Sequence, residues 1–447
     1  MKKPRMHLAI DLSWTQVETA WREPGSWVGP GYPDVGLFED VARIAERGLF
    51  DLIFFGDSTG IPNTWEGNID AAVRRGVAWP RLDMSPWITA MSRVTGHLGF
   101  GLTYATTFMH PFYVARLLNS LDHTTNGRIA FNVITSQRRA DAENYGFDEL
   151  MEHGTRYDRM EEFIDVCKAL WASVDADAFI WDRERGLVAD PAKVRAINHV
   201  GRFFKVKGPL SVPPSPQGRP VLIQAGGSPR GVRASAHFAD HIFGANKSMA
   251  LMAEQRQALD AALLEKGRCP EEVGIIWAIK LIVGETKAEA DALREKLIAN
   301  VPPEAVGVWL SHNTGFDMST LPARFTLGVL QDIIVAANAS PLGVVGLLLR
   351  EYGASAEFTR DEFMVHGLRQ ATGYNSTHTG TAAQLADLLE ERFAAGGSRG
   401  GFMIGHSQDA MRDLLSNVTG MLVPELQRRE VFRTRYEGAN LRENLAT

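Results

Sequence analysis

Short runs of Ile, Leu, Val and Phe alternate along the chain with longer stretches in which apolar residues recur every three to four positions. The first pattern reads as buried parallel strands, the second as helices crossing between them. Strands are expected at His7–Asp11, Asp51–Gly56, His97–Thr103, Arg128–Ile134, Pro220–Ala225, His241–Ala245, Gly274–Val283 and Gly401–His406. Helices fall near Val35–Gly48, Pro86–Thr95, Pro111–His123, Thr155–Ala172, Arg230–Phe238 and Ser248–Lys266, with a last one from Asp409. Strand–helix pairs in that number and order predict an α/β fold, the closed (β/α)8 or TIM barrel.

Such a barrel takes about 250 residues, whereas this chain has 447. The surplus is read as insertions into one domain spanning 1–447, at about 58–85, 173–218 and 285–399. The last is long enough for several helices, including Leu385–Ala395. The Gly/Pro-rich segment Gly25–Pro33 reads as a mobile lip.

Composition narrows the function by exclusion. A net charge of −6 gives no reason to expect nucleic acid or an anionic membrane as partner. The densest basic run, Arg428 and Arg429 on to Arg433 and Arg435, is interleaved with Glu and reads as a solvated face or subunit contact. With the apolar helix faces, it points to a homo-oligomer, dimer or tetramer. Two distant cysteines, Cys167 and Cys269, build no disulfide framework or zinc site, which suits the cytoplasm. No stretch approaches the ~18–20 apolar residues of a membrane helix.

Barrel enzymes work at the C-terminal ends of their strands. Those ends deliver Asp11, Asp57, Thr103, Tyr104, Thr106, Asn132, Thr135, Ser136, Gln224, Asn246 and His406. Most are neutral hydrogen-bonding groups, a set that suits an organic cofactor better than a hydrolytic metal. His237 and His241 have ligand spacing but straddle a helix end and a strand start, so no metal site is expected. In Gln224-Ala-Gly-Gly-Ser-Pro229 a strand runs into glycines, a capping serine and a helix, with N–H groups free to face an anion. The turn reads equally as a phosphate cradle at Gly227 and Ser228 or as an ordinary strand-to-helix connection. Asn132-Val-Ile-Thr-Ser136 could supply a second cradle. His153 and Tyr157 stand one helical turn apart and could face one ligand or pack against each other. Asp57 closes an apolar strand and could equally cap the next turn. Arg22, Arg81 and Arg138 could greet a carboxylate or sulfonate, but surface solvation is the preferred reading of each.

Several segments, in order, resemble the bacterial-luciferase-like flavin monooxygenases. They are Ala20-Trp-Arg-Glu-Pro24, Gly48–Asp57, His110–Arg116, Leu121–Arg128, Asn132–Ser136, Gln224–Gly231, Val423–Arg429 and Leu441–Leu445. More narrowly, they resemble the branch acting on nitrilotriacetate, EDTA, dibenzothiophene sulfone and long-chain alkanes. The resemblance implies an FMN-binding barrel that uses FMNH2 and O2 to oxygenate a small organic molecule. A separate NAD(P)H:flavin reductase would supply the reduced flavin, in keeping with the absence of a Gly-x-Gly-x-x-Gly nicotinamide fingerprint. It also implies roles for residues. Asp57 would lie beside the flavin ring, Thr106 or Thr103 would contact it, and Asn132 would reach its pyrimidine side. Ser136, Tyr157, Ser228 and the Gly227 backbone would hold the phosphate, with His153 lining the same pocket. His110 and His153 are the candidates for hydrogen-bonding the reacting oxygen. Trp309, Phe316, Phe325 and Tyr374 of the long insertion would wall the substrate pocket, or pack as ordinary core. The first-strand Cys or Gly-x-His that several relatives carry is missing from Asp11–Glu18, so no catalytic role transfers there. An F420-dependent oxidoreductase on the same barrel and a catalytically silent flavin-binding protein are the competing readings.

Overall fold

The computed structural model describes residues 3–13, 20–22, 24, 26–136, 138–225, 228–245, 248–336, 343–371, 377–405 and 412–446. The strands are β1 (His7–Asp11), β2 (Leu52–Phe55), β3 (Gly99–Ala105), β4 (Ile129–Ile134), β5 (Val221–Ala225), β6 (His241–Gly244), β7 (Gly274–Val283) and β8 (Gly400–Gly405). All pair in parallel and in chain order, and β8 returns to β1 with His7 opposite Gly401, which closes the barrel. Around it run α1 (Val35–Arg47), α2 (Ser85–Arg93), α3 (Pro111–Thr125), α4 (His153–Trp171), α5 (Pro229–Phe238), α6 (Met249–Glu265) and α7 (Ala382–Ala395). A helical run from Arg412 to Arg428, with a π-helical segment at Val418–Leu422, follows β8. No described helix is long and apolar enough to cross a membrane.

One strand is displaced from its expected position. The third was expected at His97–Thr103 but begins at Gly99. The Glu46 carboxylate takes the backbone N–H groups of Gly96, His97 and Leu98 (2.6–3.0 Å), fixing that stretch as a turn. At its other end β3 continues to Ala105, which pairs with Ile134.

The second insertion forms two short antiparallel pairs, Phe179–Asp182 with Leu187–Ala189 and His199–Val200 with Lys205–Val206. The third builds the helices Lys287–Ala299, Pro303–Thr314, Leu327–Ala336, Gly343–Tyr352 and Arg360–Ala371. It also adds a strand, Thr377–Gly380, that the sequence pattern does not announce. β7 is ten residues long and β8 covers only Ile275–Ile279, so Lys280–Val283 would be a bare edge without Thr377–Gly380 alongside.

The first and third insertions share a hydrophobic cluster, with Ala71, Ala72 and Val77 against Val306, Leu310 and Phe363. Trp65 lies on Gly307, where a built Cβ would come within 2.0 Å of the indole. Arg74 ion-pairs with Glu304 at 2.9 Å. Phe325 is buried in this cluster, and Trp309 and Phe316 pack on it, so these three belong to its core. Tyr374 lies outside the described residues.

Period-two alternation turns Ala9, Leu52, Phe54, Ala130, Ile223, Phe243 and Ile276 to the barrel interior, where Phe54 meets Phe243 edge-on at 4.5 Å. The bottom is stoppered by the short helix Leu441–Leu445, whose Leu441 and Leu445 join that cluster. Beside it lies a buried ion pair, where Asp51 accepts from Arg433, from Leu8 N–H (2.9 Å) and from His7 (3.0 Å). Burial alone would raise the Asp51 pKa, but Arg433 and His7 pull it below its ordinary value. Arg433 is therefore no part of a solvated basic face, and Arg429 is tied to Asp387, Glu390 and Glu425.

Two outcomes follow. Gly307→Val should cost about 1–3 kcal/mol by wedging Trp65 away from its helix, read in the denaturation midpoint. Burial pushes the His241 pKa down to about 4, with His7 adding repulsion. The unfolded chain therefore binds the extra proton first, and stability should fall as pH drops from about 6.5 toward 4. This one group contributes on the order of 3 kcal/mol across that window. In urea titrations at several pH values, His241→Asn should flatten the slope relative to the parent.

Candidate functional site

The pleat that fills the barrel also decides what stands at its top. Ala9 and Ala130 face the axis, so Asp11 and Asn132, two residues on, face it one layer higher. Asn132 sits opposite Thr103 on β3. Its Nδ2 donates to Thr103 Oγ1 (3.0 Å), and Thr103 donates to the Phe55 carbonyl (2.7 Å). The Asn132 Oδ1 is buried and has no partner among the described residues. An orphaned acceptor at the end of a polar chain asks for a ligand N–H.

Above this layer opens a cavity of about 500 Å³, within the range of small-molecule sites. Asp57, Thr103, Asn132, Ser136, His153, Tyr157 and Ser228, all expected from the sequence, line it together. Gly227, Asn246 and His406 lie outside the described residues. Asp11, Tyr104, Thr106 and His110, also expected, are not among the residues that line it. Thr106 is fully buried and donates to the Ile134 carbonyl (3.1 Å), tying β3 to β4. His110 caps α3, its Nδ1 accepting from Phe112 N–H (3.3 Å), with its ring edge-on to Phe204.

At the β5 side, Ser228 caps α5 by accepting from Gly231 N–H (3.1 Å), which leaves its own hydroxyl proton free. The positive end of α5 is thereby presented to the cavity. Tyr157 faces the same space from α4, 5.1 Å from the ring of His153, while Arg230 lies over the Tyr157 ring. Ser136 is held differently. Its backbone has φ +37, its carbonyl accepts from Arg156, and its hydroxyl donates to Asp141 (2.8 Å). A phosphate would have to compete with Asp141 for that proton.

At the β2 side, Asp57 accepts from Ser58 N–H (2.8 Å), so the turn-capping role is real. It also lines the cavity, and burial pushes its pKa up against the pull of Arg81. Asp141 holds the neighbouring loop through Ser58 Oγ (2.9 Å) and Gly60 N–H (2.7 Å).

Three functional candidates were missed or misread in the sequence. Arg81 and Arg138, read as solvated, are half-buried and lie in the field of Asp57 and Asp141. Arg22 does sit at the surface, donating to the Asn300 carbonyl. His312, on Pro303–Thr314 of the third insertion, reaches the same charged group, with its Nε2 buried and without a partner among the described residues. Burial, with Arg138 and Arg81 nearby, lowers its pKa to about 4, so it is neutral at pH 7. No local motif could have flagged it, because its neighbours in space are more than 170 positions away in the chain.

Barrel and cavity together define a class of (β/α)8 protein with a small-molecule cavity at the open end of its strands. Residues 19–399 match the model of the luciferase-like monooxygenase family. The chain is 35% identical to the dibenzothiophene-sulfone monooxygenase of Rhodococcus erythropolis (strain XP), over 99% of this chain and 96% of that one. It is 33% identical to nitrilotriacetate monooxygenase component A of Aminobacter aminovorans, over 95% and 92%. A crystal structure of a riboflavin lyase with modified FMN and riboflavin superposes with a TM-score of 0.84 at 26% identity, covering 99% of this chain and 96% of that one. The chain belongs to the luciferase-like monooxygenase family. It is an enzyme, a flavin-dependent monooxygenase.

The donor set fits a flavin nucleotide. Ser228, Tyr157 and the α5 terminus suit a phosphate, and the orphaned Asn132 Oδ1 suits a ring N–H. Ser228→Asp should preserve the helix cap, since Asp caps as well as Ser, while setting a carboxylate against the phosphate. Fluorescence titration should show FMN binding weakened at least tenfold and riboflavin binding little changed.

Proposed function

We propose that the protein is the oxygenase of a two-component system, using FMNH2 delivered by a separate NAD(P)H:flavin reductase to place one oxygen atom on a small organic substrate. The observation that carries this reading is the orphaned Asn132 Oδ1 in the same cavity as the Ser228–Tyr157 phosphate cradle. It is supported by the match to a relative named as one component of a monooxygenase, component A.

In this reading the phosphate is held by the hydroxyls of Ser228 and Tyr157 and the α5 dipole, with His153 at its edge, and Ser136 joins them where the phosphate displaces Asp141 from its hydroxyl proton. Thr103 and Asn132 fix the ring's polar side, Thr103 taking the contact that Thr106 makes instead with the β4 backbone. Bound reduced flavin supplies the electrons that activate O2. The protein's own work is to exclude water and govern protons at the mouth. Asp57 stands at that mouth, its pKa raised by burial against the pull of Arg81. His312, neutral at pH 7, offers both a donor and an acceptor from the insertion that closes over the charged group. His110, engaged as a helix cap, leaves that role to His312 and His153.

The test supplies the purified protein with FMN, NADH and a generic flavin reductase. Oxygen uptake is followed across organosulfur, aminopolycarboxylate and alkane panels. One panel member should raise uptake and acquire a labelled atom from ¹⁸O2. Turnover with a deazaflavin and no oxygen requirement, or flavin binding with no substrate oxidation, would overturn the reading. His312→Ala should lower coupled product formation at least tenfold and divert the uptake to H2O2, with FMN affinity unchanged.

A further inference from the structure

The mouth of the barrel holds two cations without an acceptor. Arg138 lines the cavity. Arg81, in the loop that follows β2, lies within electrostatic reach of Arg138, Asp57, Asp11 and Asp141. Neither guanidinium makes a hydrogen bond or a close ion pair with any described residue, which leaves their N–H donors, five on each, unused. The carboxylates around them are occupied elsewhere. Asp11 accepts from Ser13 N–H (3.0 Å) and Ser13 Oγ (2.6 Å). Asp141 accepts from Ser58, Gly60 and Ser136. Asp57 accepts from Ser58 N–H (2.8 Å). Burial disfavours the charge on both arginines, and Arg138 is further opposed by Arg81. The carboxylates supply charge at a distance, but buried N–H donors that no described residue takes are costly unless an acceptor completes them.

We infer that Arg81 and Arg138 form the recognition site for an oxyanion carried by the substrate, a carboxylate, sulfinate or sulfonate, so that the enzyme oxygenates organic anions. This rests on the flavin reading of the same cavity, because it assigns the space the flavin leaves. Ser228, at the end of β5, grips the phosphate on one side. Arg81 reaches Asp57 at the end of β2, three strands round the barrel. A guanidinium pair presents planar forks that match a carboxylate or sulfonate in two directions. An uncharged substrate would close the mouth over both groups and leave them unpaired, and that penalty is the source of selectivity.

The experiment measures ligand binding to FMN-loaded protein through changes in the flavin absorbance. The probes are acetate, methanesulfonate, benzoate and benzenesulfonate, each set against its own amide or sulfonamide. At least one anion should bind ten times more tightly than its neutral partner. Arg81→Gln and Arg138→Gln should each abolish that preference, with the FMN dissociation constant unchanged within twofold. Arg138→Lys, which keeps the charge but loses the fork, should restore part of it.

Three results would overturn the inference: no anion preferred over its neutral partner, a preference that survives both Gln variants, or Gln variants whose main loss is FMN affinity. The last would assign these arginines to the cofactor phosphate. Should the protein retain no FMN, the same probes are titrated by intrinsic tryptophan fluorescence with inorganic phosphate filling the cradle. Arginine-dependent anion binding there sustains the site while the flavin reading falls, and its absence removes the site as well.

Discussion

A sheet closed into a barrel gives its inward side chains no destination but the axis. Strand alternation then decides, residue by residue, what fills the middle and what is left at each end. Ala9, Leu52, Phe54, Ala130 and Phe243 fill the interior with apolar atoms. Polar groups such as Asp11, Thr103 and Asn132 are tolerable only one layer above, where a partner can reach them. The cofactor site is thus the direct continuation of the core's own pattern. The same constraint acts at the lower end, where His7 and His241 point inward and need Asp51, Arg433 and the Leu441–Leu445 helix to seal them.

Closure also separates two kinds of electrostatics. At the bottom, Arg433 Nη2 donates to Asp51 and to the Asn444 carbonyl, and Asp51 also accepts from His7 and Leu8, so that charge is spent on holding the chain together even though Arg433 Nη1 has no partner among the described residues. At the top, opposite charges lie in one another's field without hydrogen-bonded pairing. Asn132 Oδ1 and His312 Nε2 have no partner among the described residues, and Arg81 and Arg138 have only distant ones. The chain accepts that cost at the end where ligands enter, which is the usual place for perturbed groups.

The barrel strands were legible because each is a short apolar run bounded by turn residues, and β7 was found with its limits intact. The phosphate cradle was legible for a similar reason, since strand, glycine, capping serine and proline are contiguous in the chain. What depends on distant partners was not legible. Glu46 moved the start of β3 from fifty positions away, and the Thr377–Gly380 strand exists only because β7 overruns β8. Arg433 looks like part of an exposed basic run until Asp51 is brought to it. Thr106 and Thr103 are equally good candidates on paper, and only the register with β4 shows which of them looks into the cavity. His312 belongs to an insertion that is tied to the first one by Trp65 seated on Gly307 and by the ion pair of Arg74 with Glu304, and it comes within electrostatic reach of Arg138 and Asp141.

The pairing of His7 with Gly401 has a bearing on how such a chain assembles. The first strand of the barrel borders the last, so it must wait with one edge bare until β8 has been made. Everything between, the three insertions included, is synthesised before that seam can form. Slow elongation or a stalled nascent chain would therefore leave an adhesive β-edge in the cell, and β1, only five residues long, keeps that exposed edge short.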